Sequence, residues 1–183
     1  GAQIKREMEE EFGVPVFVLN DANAAVLGEC FMGRAKGARN VLMLTLGTGV
    51  GGGTLVGLSK KMLGMEDIDY IQSIAAEGDL SHIDLRIGDI TKKDPGMNMP
   101  DYMTAANFGK ITDGATEADY AKGILNMVFE TVGMLALFAA RGKGVRDIVL
   151  TGNLTSVAYA KEAFASLSEL FDVNFIIPEN AQF

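Results

Sequence analysis

Between Glu117 and Arg141, apolar residues return every three or four positions through EADYAKGILNMVFETVGMLALFAAR, the period of a helix buried along much of its surface. This predicts the dominant core helix. Ile4, Met8 and Phe12, set among charges, predict a short amphipathic helix over 3–12 that Gly13 ends. The helix formers of DANAAVLGECFMG (21–33) predict a second, with Asp21 in its first turn. Apolar, β-branched runs predict strands at VPVFVLN (14–20), NVLMLTL (40–46), DIVLTGN (147–153) and VNFIIPEN (173–180). GGTLVGL (52–58) predicts the strand returning from a glycine turn, and HIDLRIGDIT (82–91) alternates with a strand's period of two. LSKKMLGMEDIDYIQSIAAEG (58–78) predicts two helices broken near Gly64, and a further helix runs to about Phe171. GRAKGARN (33–40) reads as a basic turn, and KKDPGMNMP (92–100), with two prolines and a glycine, as a loop. The alternation predicts an α/β fold, a sheet covered by helices.

Composition narrows the choice of partner. The 183 residues give room for one good core, or one domain with an appendage. A net charge of −8 opposes nucleic acid and anionic membranes, so neither is expected as a partner. Uninterrupted apolar stretches such as MLALFAA fall short of the roughly 20 residues that span a bilayer, so no membrane segment is expected. The opening GAQIKREMEEEFG lacks the basic-then-apolar order of a signal peptide, which predicts a cytoplasmic chain, truncated or engineered at its start. Cys30 stands alone, so no internal disulfide or thiolate zinc site is expected. His82 stands alone too. Chemistry must therefore run on carboxylates, backbone amides and a ligand's own charge.

The richest stretch is LTLGTGVGGGTLVG (44–57). Gly47, Thr48, Gly49, Gly51, Gly52 and Gly53 follow an apolar strand and expose backbone N–H groups with few side chains in the way, which suits a phosphate. Thr45, Thr48 and Thr54 add hydroxyls. Neither a Walker loop nor a dinucleotide fingerprint fits, because no GK[ST] follows and the glycines are expected to lead to a strand. A bulged hairpin would use the same residues. LNDANAA (19–25) sets Asp21 where a strand gives way to a helix, the position of a general base or of a helix cap. Glu29, Glu77, Asp79 and Asp84 are carboxylates available to magnesium, although such residues are more often solvated surface charges.

The words NDANAA and LTLGTGVGGG, within residues 14–53, resemble the ROK family of sugar kinases and repressors. The resemblance implies Asp21 as the base taking the proton of an acceptor hydroxyl, Asn20 as a substrate contact, and Gly47, Thr48, Gly49, Gly51, Gly52, Gly53 and Thr54 around ATP phosphate. From residue 54 onward, AAEGDLSHIDLRIGDI, DYMTAANFGK and DIVLTGNLTSVAYAKE resemble type II pantothenate kinase. That likeness implies Gly152 and Asn153 near the adenosine and Asn107 near the acceptor. Both families share the ribonuclease H-like fold of actin-type ATPases, so the expected class is α/β with a mixed sheet flanked by helices. ATP and Mg2+ are the implied cofactors, a small molecule the implied substrate and a homodimer the expected assembly. The expected division is a ROK-like helix–strand–helix segment over 1–39 and an actin-like nucleotide-binding second domain over 40–183. No Asp-x-Gly-Gly-Thr-like phosphate loop precedes Asp21, and IIPENAQF stands where a pantothenate kinase continues into a small-residue helix. The expectation is therefore a fragment or a chimera joined near GTGVGGG. The reaction implied is transfer of the ATP γ-phosphate to a primary alcohol, with pantothenate, a hexose, or no turnover at all as the three readings.

Overall fold

A computed structural model describes residues 2–38, 40–91, 99–179 and 181–182. The chain opens with helix α1, Ala2–Phe12, which ends at Gly13, and continues through helix α2, Asp21–Phe31. Strand β1, Val41–Thr45, runs into a wide turn at Thr48–Gly52 and then helix α3, Gly53–Leu63. Gly64, left-handed at φ +71°, stops α3 before helix α4, Ile68–Ala75. A two-residue strand β2, Leu85–Arg86, passes directly into a single helical turn α5, Ile87–Ile90. Strand β3, Thr104–Ala106, precedes helix α6, Glu117–Arg141. Strand β4, Asp147–Thr151, helix α7, Ala158–Phe171, and strand β5, Asn174–Ile176, complete the order.

Among the described residues the main sheet has three strands, all parallel, in the order β1-β4-β5, with Val41 opposite Asp147, Thr45 opposite Thr151 and Val149 opposite Ile176. The expected mixed sheet is thus corrected: the antiparallel pair β2-β3 is a separate ribbon. Fully buried Ile148, Val149 and Leu150 explain the continuous apolar run of β4, because a parallel strand covered on both faces needs no polar side. Helix α6 is the hub of the core. Leu125, Phe129 and Leu137 are buried on it, and the Phe129 ring meets Phe164 of α7 edge-on, centroids 5.8 Å apart. By length and apolarity α6 would also pass for a membrane span, which corrects the reading of short stretches alone, but most of that span is core.

The start of α6 ties down the polypeptide before it. Thr116 Oγ1 accepts the Asp119 N–H at 3.3 Å and the Thr116 N–H donates to Asp119 Oδ2 at 2.8 Å, a reciprocal cap. The buried Asp119 carboxylate also accepts the Asp79 N–H at 2.6 Å and lies 3.1 Å from His82 Nδ1. Burial alone would raise the Asp119 pKa. The N–H groups of Asp79 and Thr116, with His82 and the Thr116 hydroxyl, outweigh it and hold the carboxyl at about 2.

Two expected strands are not formed and a third is cut to two residues. Residues 14–20 form no strand, and Phe17 is 81% exposed; apart from Asn20, which caps α2, only the Val16 N–H finds a hydrogen-bond partner among the described residues, Glu9 Oε1 at 3.0 Å. A β-branched run needs a neighbouring strand, and none adjoins it among the described residues. Residues 52–58 are helical, because Leu55, Ser59 and Leu63 repeat at four-residue spacing and bury that face on α6. Within 82–91 only Leu85 and Arg86 pair, since Asp89 Oδ2 accepts the Arg86 N–H at 3.0 Å and turns the chain into α5. Most of the expected loop at 92–100 lies outside the described residues.

Candidate functional site

The parallel sheet brings the ends of β1 and β4 side by side. In open α/β sheets ligands bind at the carboxyl edge, and two glycine turns lie there. The Leu46 N–H donates to Thr151 O at 2.6 Å, the Leu154 N–H donates back to Leu46 O at 3.3 Å, and Thr45 Oγ1 and Thr151 Oγ1 lie 3.2 Å apart. Gly152 is forced by this contact. Its φ is +98°, and a Cβ would run into the Leu46 carbonyl.

The first turn is built from two kinds of glycine. The N–H groups of Val50 and Gly52 both donate to Gly47 O, at 3.1 and 3.0 Å, so the turn closes tightly on itself. Gly51 has φ +92° and lies against Val128 of α6; a Cβ on Gly52 or Gly53 would sit 2.9 Å from the Gly47 or Thr48 carbonyl. These three glycines serve the turn. At Gly47 and Gly49, by contrast, a Cβ would meet nothing within 4 Å, and Thr48 and Thr54 are exposed. Those positions face open space. Because the turn leads into α3 rather than a strand, the expected hairpin is replaced by strand, loop and helix. The positive end of an 11-residue helix adjoins the loop, which favours an anion, although the N–H groups of Gly52 and Gly53 already donate to the Gly47 and Thr48 carbonyls.

Other expected site residues lie elsewhere. Asn20 caps α2, its Oδ1 accepting the Asn23 N–H at 2.8 Å, and Asp21 is exposed in the first turn, with Oδ1 accepting the Ala22 N–H at 2.8 Å. Among the described residues neither hydrogen-bonds to the glycine loop. Asn153, exposed, follows Gly152 at the same sheet edge as the loop. Asn107 is not brought there. Its Nδ2 donates to Glu130 Oε2 at 2.8 Å in a cavity of about 530 Å3 between the β2-β3 ribbon, α6 and α7. Val128 and Val132 face the glycine loop, whereas Asn126, Glu130 and Met134 line the cavity. At 100° per residue these are opposite sides of α6.

That cavity holds a polar network that periodicity alone passes over. Asn126 Nδ2 donates to Asp84 Oδ2 at 2.9 Å, the Tyr159 hydroxyl donates to Asn126 Oδ1 at 3.0 Å, and Thr104 Oγ1 donates to Glu130 Oε1 at 2.8 Å. Burial pushes the Tyr159 hydroxyl well above its ordinary pKa, so it stays a donor. Asn126 and Glu130, one turn apart within the apolar middle of α6, were the signal in the sequence.

The named carboxylates do not assemble for Mg2+. Asp84 accepts from Asn126 and the Phe108 N–H, Asp79 from the Ser81 N–H, and Glu29 from the Arg34 N–H. Among the described residues no group of three or more His, Cys, Asp or Glu side chains is placed to hold a metal ion. The residues present therefore do not fit a protein-built magnesium cage.

These features define an α/β domain that presents an amide-lined glycine loop and a second glycine turn at the carboxyl edge of a parallel sheet. The chain belongs to the Fumble family, whose model matches residues 38–172, well over half its length. The ROK family model matches residues 1–66, so the two likenesses overlap across β1 and the glycine loop. A glucokinase of Streptomyces coelicolor is 54% identical over 54 residues, 30% of this chain and 17% of that protein. A type II pantothenate kinase of Bacillus cereus is 33% identical over 112 residues, 58% of this chain and 40% of that protein. Pantothenate kinase 1 of Oryza sativa is 30% identical over 113 residues, 58% of this chain and 17% of that protein. The chain thus spans less than half the length of each of these relatives.

Proposed function

We propose that the chain is the nucleotide-binding half of an actin-like kinase that transfers the ATP γ-phosphate to a primary alcohol, most like pantothenate. One observation carries the reading: the glycine loop is open at Gly47 and Gly49, at the end of a parallel strand and the start of α3. In this reading Gly47, Thr48, Gly49, Gly51, Gly52, Gly53 and Thr54 cradle phosphate, and Gly152 with Asn153 borders the adenosine. Asp21 takes the proton of the acceptor hydroxyl and Asn20 contacts the acceptor, whereas Asn107, across α6 from the loop, has no part in this site; the protein works in the cytoplasm. Mg2+ would come to the site with the ATP phosphates, since no carboxylate cluster among the described residues is placed to hold it alone. The glucokinase likeness of the segment bearing Asn20 and Asp21 favours a hexose acceptor as the second reading. A non-catalytic chimera is the third, favoured by the lack of an Asp-x-Gly-Gly-Thr-like phosphate loop before Asp21 and of a small-residue helix after IIPENAQF.

Titration calorimetry with Mg-ATP tests the first claim. A Cβ at Gly49 would meet no protein atom within 4 Å, so Gly49→Val is expected to fill the ligand's space and leave the fold intact. The expected result is binding to the parent and a loss of at least about tenfold in affinity, ~1.4 kcal/mol, in the variant. Equal affinities would remove the loop from the site. ADP release stimulated by pantothenate or by glucose then separates the two acceptors, and release with neither supports the non-catalytic reading.

We also propose a homodimer. Leu135 and Phe138, one turn apart on α6, are 64% and 61% exposed and continue the apolar wall of the 530 Å3 cavity. Sedimentation should show a dimer that Leu135→Lys with Phe138→Lys converts to monomer; a monomeric parent at micromolar concentration would end this idea.

A further inference from the structure

A second cavity, of about 450 Å3, lies at the carboxyl ends of β4 and β5, and its walls include Arg34, Thr155, Ser156, Lys161, Pro178 and Gln182. Nothing in the proposed phosphoryl transfer uses it. Arg34 is held at its backbone, where its N–H donates to Glu29 Oε2 at 3.0 Å. Its guanidinium crosses from the turn after α2 to Glu179, with Nη2 donating to Oε1 at 3.2 Å. Lys161, in the first turn of α7, forms no ion pair among the described residues. The hydroxyls of Thr155 and Ser156 donate to the Gly152 and Asn153 carbonyls, at 2.7 and 2.6 Å. Recognition of a ligand therefore falls to the two cations.

In a chain of net charge −8, this pairing of cations runs against the general field. A guanidinium fork suits the paired oxygens of a phosphate or carboxylate, yet Glu179 meets it with one oxygen only. The two side chains are 59% and 87% exposed, and such a surface pair exchanges readily for a better anion. We propose that this cavity is an anion subsite for a phosphate ester, held by Arg34 and Lys161, with the Glu179 carboxylate as the internal occupant that the ligand displaces. The phosphate belongs either to a nucleotide anchored on the glycine loop or to a separate phosphorylated molecule, since both offer the same chemistry.

Two-dimensional 1H–15N spectra of the labelled chain test the proposal, with inorganic phosphate titrated against chloride at matched ionic strength. The amides of Arg34, Ser156 and Lys161 should shift together and saturate. Glu179→Gln should tighten binding about twofold to fivefold, the worth of an exposed ion pair. Arg34→Ala combined with Lys161→Ala should abolish these shifts; both side chains are exposed, and the same spectra report that the fold is intact. Repeating the titration with ATP on Gly49→Val assigns the source: cavity shifts that persist mark a separate phosphorylated ligand, and shifts that vanish mark the loop-anchored nucleotide. Shifts at the cavity that fail to saturate, or a Glu179→Gln affinity equal to the parent's, would overturn the subsite whether or not the glycine loop binds ATP.

Discussion

Gly152→Ala should cost at least about 3 kcal/mol and leave the chain largely unfolded at 37 °C. Two independent penalties meet at this one residue. The backbone sits at φ +98°, which an L side chain rarely adopts, and the added methyl would strike the Leu46 carbonyl. Neither neighbour can yield easily, because Leu46 is bonded through its N–H to Thr151 and through its carbonyl to the Leu154 N–H. Moving Leu46 would pull β1 off β4. The contrasting variant is Gly49→Ala, whose methyl meets no atom within 4 Å and which should stay within about 0.5 kcal/mol of the parent. Thermal melts of the two variants decide the matter. A Gly152→Ala melting point within about 2 °C of the parent would mean that the contact between the two turns is slack.

Acid should loosen the start of α6, and Asp119→Asn should remove most of that effect. The Asp119 carboxyl titrates at about 2 in the folded chain and near 3.8 ordinarily, so its contribution is fully present above about pH 4. As the pH falls through 4 toward 2, the contribution is lost. A depression of this size corresponds to about 2 kcal/mol at neutral pH for this buried group. The amide introduced by Asp119→Asn could still accept a hydrogen bond from the Asp79 or Thr116 N–H, but without charge. Urea midpoints at pH 6 should therefore separate parent from Asp119→Asn, and the gap should close by pH 2. A gap that persisted unchanged at pH 2 would show that packing, not charge, accounts for the cost.

The sequence told most where local signals and burial agreed. Helix α6 appears over Glu117–Arg141 as its periodicity predicts, and β1, β4 and α7 lie where their apolar runs placed them. The failures share a cause. VPVFVLN is strand-like in composition, but strand formation is decided by a neighbour, and the described chain supplies none. GGTLVGL mixes β-branched residues with glycine, so propensity favoured a strand; the four-residue spacing of Leu55, Ser59 and Leu63 was the stronger signal. For the candidate site, glycine density marked the turn but not the division between Gly51, Gly52 and Gly53, which close it, and Gly47 and Gly49, where a Cβ would meet nothing. Asn107 shares a resemblance with the loop, yet α6 lies between them, a separation that linear order cannot express. Arg34 and Lys161 are 127 positions apart, and only the fold brings them to one cavity.

The residues before strand β1 contribute almost nothing to the interior. Among the described residues before Val41, Ala35 alone is buried, and α2 has no buried residue. Such a segment could be exchanged for another without repacking the core, which begins with β1 and its partly buried Leu42 and Leu44. Both family likenesses extend through the glycine loop, which makes that stretch a natural crossover point: recombination there would hand an intact core to a new leader. On this view, GTGVGGG is a seam in the chain as well as a turn, lying where the two likenesses overlap.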